Sequence, residues 1–133
     1  MADTLSGWKA QHTKFRSGEL AVYHELITRG TTVSDSLGSE INFIPPGVDF
    51  LVGMKPSAAL TTGADLAVYA CPVAGGTHSL LKDDLISITT GTGYAYGLFD
   101  VSANGEMPVY KCFIDGDATN INNFDIYVTF IIP

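Results

Sequence analysis

The last ten residues, Phe124 to Pro133, place Phe124, Ile126, Val128, Phe130 and Ile132 at every second position. Successive side chains of an extended strand point to opposite faces, so all five share one face. Two strands alone are marginal in water, so a strand this apolar needs a sheet to cover it. The spacing therefore predicts a C-terminal strand built into the core.

The same period-two reading extends upstream. Residues 1–18 are mixed and polar, with Leu5, Trp8 and Phe15 as scattered anchors, and read as an N-terminal arm. Glu19 to Arg29 fits a strand, with Leu20, Val22, His24 and Leu26 on one face, although Leu20, Tyr23, His24 and Ile27 also fit a helix. β-branched content and the flanking glycines favour the strand. Ile41 to Ile44 reads as a short strand stopped by Pro45-Pro46-Gly47. Val48, Phe50, Val52 and Met54 alternate until Pro56, and Leu66 to Cys71 forms a further strand. A loop through His78 and Asp83-Asp84 leads to a strand at Leu85 to Thr90. Tyr94, Tyr96 and Leu98 alternate with Ala95, Gly97 and Phe99. Ala103-Asn104-Gly105-Glu106 suits a tight hairpin, because Asn-Gly accepts two positive φ angles, and Met107 to Ile114 returns.

About eight strands separated by Gly, Pro and Asn turns, with no long helix, predict an all-β fold. The expected form is an antiparallel two-sheet sandwich, jelly-roll-like in its strand count, with an immunoglobulin-like sandwich as the other option. Residues 19–133 make one such domain, which suits a chain of 133 residues.

Composition narrows the function. A net charge of −7 opposes nucleic-acid binding, which needs clustered Lys and Arg. Residues 1–33 carry four basic and three acidic side chains, a net of +1, so the arm could face an acidic surface. Charged residues make up 16% of the chain, a low share for an isolated soluble domain, which points to surface covered by copies or partners. No run approaches the ~18 apolar residues of a membrane helix. Met1-Ala-Asp-Thr4 lacks the basic start and apolar stretch of a secretion signal, so synthesis and folding in a cytoplasm are expected. Cys71 and Cys112 lie in apolar runs and are expected as buried thiols.

No catalytic set emerges. His12, His24 and His78 lack metal-ligand spacing, so no metal or other cofactor is expected. Asp115-Gly-Asp117-Ala-Thr119 resembles the start of a calcium loop, but Asn120 and Ile126 occupy the places of the required Gly and Glu. Asp83-Asp84 reads as a solvated loop end. Gly91-Thr-Gly93 lacks the spacing of a dinucleotide fingerprint. Tyr94 and Tyr96 share a strand face, with Tyr110 expected on a neighbouring strand. Such tyrosine pairs are ordinary sheet packing; the alternative makes Tyr94, Tyr96, Asp115 and Asp117 the ligand face of a carbohydrate- or receptor-binding module of a phage fibre or tail.

The arm Met1 to Gly18, the Thr/Gly/Ala-rich loops Leu60 to Gly63 and Gly75 to Ser79, and the strand Phe124 to Pro133 give the chain a style that resembles the capsid decoration (cement) proteins of tailed bacteriophages. The resemblance implies a non-enzymatic homotrimer on the capsid exterior of the virion, bound to the major capsid protein. On that reading Trp8, Lys9, Lys14, Phe15 and Arg16 of the arm are the expected capsid contacts. A cupin-type enzyme is disfavoured by the dispersed histidines.

Overall fold

The computed structural model describes residues 8–11, 16–28, 36–57, 60, 63–89, 94–116 and 123–133. Among these described residues, nine strands and one short helix follow in order. They are β1 (Lys9–Ala10), β2 (Leu20–Thr28), β3 (Ser36–Leu37), β4 (Phe50–Pro56), β5 (Ala64–Cys71), β6 (Ser79–Ile88), β7 (Ala95–Phe99), α1 (Val101–Asn104), β8 (Val109–Gly116) and β9 (Asn123–Ile131). One sheet has the order β1-β2-β9-β4-β7 and the other β3-β8-β5-β6.

The pairing is nested. β2 pairs with β9, β3 with β8, β4 with β7 and β5 with β6, all antiparallel. This is one long hairpin, bent at β5–β6 and rolled over, with β4–β9 and β5–β8 contacts closing the roll. The fold is a jelly roll, as the strand count led us to expect.

β9 lies between β2 and β4 and pairs with both along its length. Its alternation behaves as the sequence requires: Phe124, Ile126, Val128 and Phe130 are buried. Ile132 lies beyond the strand but still packs on the core. Phe50, Phe99 and Tyr110 cluster at one place in the core, with ring centroids 4.8–5.4 Å apart. Tyr23, Phe43 and Phe130 form a second cluster, with Tyr23 and Phe43 stacked at 3.8 Å. Gly97 on β7 lets the sheets approach, since a methyl group there would stand 2.4 Å from the Leu85 carbonyl oxygen.

Several sequence expectations change. Of Ile41 to Ile44, only Ile41 makes a ladder contact, exchanging two backbone hydrogen bonds with Tyr110. Pro56 ends β4, as expected, and does so opposite Phe124. Ser57 donates to Asn123 of β9, so the missing Pro56 donor falls on the β7 side, where pairing has already ended at Met54. β6 begins at Ser79, so Asp83 and Asp84 sit within a strand, at a register shift opposite β5. Asp84 takes φ 48° there.

The expected hairpin at residues 103–106 is a helical turn. Asp100 caps it by accepting from the Ser102 backbone N–H at 2.9 Å and hydroxyl at 2.7 Å. Gly105 closes it at φ 104°, its N–H donating to Val101. Local side-chain capture of the backbone outcompetes the Asn-Gly turn preference.

The cysteines are free and buried. Cys112 stands opposite Val68 and Cys71 opposite Val109. That is three residues along the ladder, roughly 10 Å, beyond disulfide reach. Burial, reinforced by the Glu25 carboxylate, pushes the Cys112 thiol up to about 12.

Two outcomes are expected. Replacing Phe124 with Ala in this central strand should cost about 3–5 kcal/mol in denaturant unfolding. Folded protein should leave Cys112 unmodified by a thiol reagent at mildly alkaline pH, with labelling appearing only on unfolding.

Candidate functional site

Period-two alternation gives each sheet an outer face, and the two outer faces differ. On the four-stranded sheet the residues facing out include Asp65, Asp83, Asp84 and Asp115, which gather around one shallow depression. Asp83 and then burial push the Asp84 carboxyl above the usual carboxylate range. Ser87 donates to Asp65 at 2.5 Å. Among the described residues, no group of three or more His, Cys, Asp or Glu side chains is arranged to hold a metal ion.

The outer face of the five-stranded sheet is aromatic and aliphatic. One register row crosses it: Lys9 opposite His24, His24 opposite Tyr127, Tyr127 opposite Gly53, and Gly53 opposite Tyr96. Directly opposed residues share a face. Gly53 leaves bare backbone in mid-row, and the Tyr94 and Tyr96 rings lie over it. A methyl group at Gly53 would meet them at 3.3 and 3.4 Å. The two rings are parallel to within 9°, with centroids 5.4 Å apart. Tyr127 lies 5.9 Å from Tyr94 and 4.7 Å from His24. His24 donates from Nε2 to Asp125 Oδ1 at 2.7 Å. Burial, then a hydrogen bond with Tyr127, pushes the Tyr94 phenol well above its ordinary value. The aromatic cluster thus presents phenols, an imidazole and one carboxylate, with Lys9 and Lys55 exposed on the same face.

Beside this cluster runs an apolar groove of about 430 Å³, lined by Leu20, Val48, Asp49, Leu51, Leu98, Thr129, Phe130 and Ile131. Leu98 and Ile131 are 58% and 59% exposed, and Tyr96 is 63% exposed. Exposed side chains of this size on one face are the usual mark of a contact surface.

The structure divides the sequence candidates. Trp8 is not a free arm anchor; it is 4% exposed, packs edge-on against Phe43 at 5.9 Å, and donates from Nε1 to Ser39 O at 3.1 Å. A large ring gains more from the core than from solvent, and its N–H finds a partner there. Lys9 is exposed on the five-stranded face, and Arg16 is exposed in the turn before β2. Lys14 and Phe15 lie outside the described residues. Residues 9–10, expected within an arm, form the edge strand β1.

Tyr94 and Tyr96 do lie together, but Asp115 is on the opposite sheet facing away from them, so the four residues do not form one ligand face. Asp117 lies outside the described residues. Tyr110 is buried between the sheets and not beside Tyr96. Sequence reasoning missed Tyr127, Asp125 and Gly53 as partners of the tyrosines. Alternation along β9 does assign Tyr127 and Asp125 to the face opposite Phe124; only their register against β4 and β7 was hidden.

β2 inverts the simplest expectation. Its row Leu20, Val22, His24 and Leu26 faces outward, and Glu25 faces the core. The Glu25 carboxylate is held there by the Ser39 N–H, at 3.0 and 3.3 Å from its two oxygens.

No family model matches the sequence, and no curated protein matches it. Solved structures are similar in fold. Against the CBM22-1–GH10 modules of endo-1,4-β-D-xylanase 10B from Clostridium thermocellum, complexed with xylohexaose, the TM-score is 0.55 at 13% identity, covering 98% of this chain and 27% of that chain. A CBM4 structure gives 0.42 at 11% identity, covering 93% and 91% of the two chains. The enzymatically active domain of bacteriophage CBA120 tailspike protein 4 gives 0.45 at 13% identity, covering 98% and 20%. This chain spans about a quarter of the xylanase chain it matches, and the likeness is one of β-sandwich fold.

The Tyr127→Phe variant should lower the Tyr94 titration by removing the phenol hydrogen bond. It should stay above the ordinary phenol value, because burial is the larger cause. Titration of ring-labelled tyrosines by NMR checks this.

Proposed function

We propose that this protein is a non-catalytic structural protein of a phage virion, decorating the capsid by docking the outer face of its five-stranded sheet onto protein. The observation that carries the reading is the exposed aliphatic groove of Leu20, Leu51, Leu98 and Ile131, with Asp49 at its margin and Lys9, Lys55 and Asp125 elsewhere on the same face, opposite a face rich in aspartate. Aliphatic side chains gain by meeting other apolar side chains, and the acidic face stays in water. The resemblance in style to decoration proteins supports the same role. With Trp8 in the core, docking moves from the arm to the sheet. Lys9 and Arg16 then act as rim charges that steer the approach.

A second reading has its own observation. The parallel Tyr94–Tyr96 pair over Gly53, with His24 and Asp125 as hydrogen-bonding neighbours, suits a sugar ring stacked on an aromatic face. On this reading the chain is a carbohydrate- or receptor-binding module of a fibre or tail.

Two substitutions separate these readings. Leu98→Glu, at an exposed site, should leave the melting temperature almost unchanged and weaken co-sedimentation with purified capsids at least about tenfold. Tyr96→Ala should abolish any retention on immobilised glycans while weakening capsid binding less than Leu98→Glu does. Capsid binding by Leu98→Glu equal to wild type rejects the docking face.

A further inference from the structure

Two buried side-chain atoms stand without a hydrogen-bond partner among the described residues: Glu40 Oε1 and His78 Nε2. Unsatisfied polar atoms are costly in the interior, and two in one place call for a cause. Glu40 is 2% exposed. Its Oε2 accepts from the Gly75 N–H at 2.7 Å, and the same oxygen lies 3.8 Å from His78 Nε2. The His78 side chain is also buried, and its Nδ1 lies 3.1 Å from the Gly76 carbonyl oxygen. Glu40 therefore bridges, from 35 residues away in sequence, to both sides of the loop that joins β5 to β6.

The proton count follows from donor chemistry. A carbonyl oxygen only accepts, so Nδ1 must carry hydrogen to bond Gly76. Neutral His78 then presents a lone pair at Nε2 to a carboxylate, two acceptors facing each other in a dry site. One additional proton resolves the conflict, either on Nε2 beside a carboxylate or on the carboxyl beside a neutral ring. A small rotation of either side chain closes 3.8 Å to hydrogen-bond length.

We propose that Glu40 and His78 share a single proton, and that this proton latches the 72–78 loop shut. Held closed, the loop presents Val73, 61% exposed, at its tip and keeps Cys71 covered by Gly76. When the proton leaves to solvent, the carboxylate and the ring lone pair repel and the loop loosens. The latch thus holds while the proton is present and releases when rising pH removes it. The buried titratable groups on the strands around this loop are Cys71 on β5, Tyr110 on β8 with its hydroxyl taking the Met107 N–H, Cys112 on β8, and Glu25 on β2, held by Ser39; Asp65, Tyr69 and Asp115 line the outer face.

Amide hydrogen exchange at Gly75 reads the latch directly. After correction for intrinsic chemistry, its protection should fall at least about tenfold between about pH 5 and pH 9. Glu40→Gln should remove that fall, because the carboxamide still accepts from Gly75 and donates to Nε2 with no proton to lose. His78→Gln should flatten it likewise and serves if the first variant does not fold. In the wild type, ring nitrogen shifts of His78 at acidic pH should show Nε2 bonded through hydrogen to Glu40. Flat Gly75 protection in the wild type, an unchanged slope in both variants, or stoichiometric metal whose chelation opens the loop would overturn the shared proton.

Discussion

One strand makes both halves of this molecule. β9 sits between β2 and β4, and its strict alternation sends Phe124, Ile126, Val128 and Phe130 inward and Asp125, Tyr127, Thr129 and Ile131 outward. The inward set anchors the core; the outward set supplies the centre of the aromatic cluster and one wall of the groove. A slip of one residue in its register would exchange the two sets, burying Asp125 and exposing Phe124. The ladders on both sides and the core behind β9 together hold that register.

This arrangement explains how the aromatic face is assembled. Opposed residues on β2, β9, β4 and β7 bring His24, Tyr127, Gly53 and Tyr96 into line although they come from four distant parts of the chain. The His24–Asp125 hydrogen bond spans 101 residues. Side chains on a stiff ladder need little ordering on binding, so affinity is not spent on loop entropy.

The core-facing halves of β4, β5 and β9 were legible because period two and burial coincide there. β1 and β3, at two residues each, are too short to leave a pattern. The first half of β6 reads as loop because it faces solvent and carries Lys82, Asp83 and Asp84. β2 shows the limit most clearly: its apolar row is the exposed one, and a glutamate turns inward because a backbone amide waits for it. Composition cannot reveal an interior acid whose partner is a main-chain group fourteen residues on. The tyrosine pair was visible, but its neighbours depend on cross-strand register, which one sequence does not encode locally.

Three of the four sheet margins are blunted among the described residues: β1 and β3 by their brevity, and β6 by its irregular acidic stretch. Strand addition along any of these three is therefore disfavoured. Crowding many copies together, as on a particle surface, should then yield discrete layers and patches and not growing fibrils.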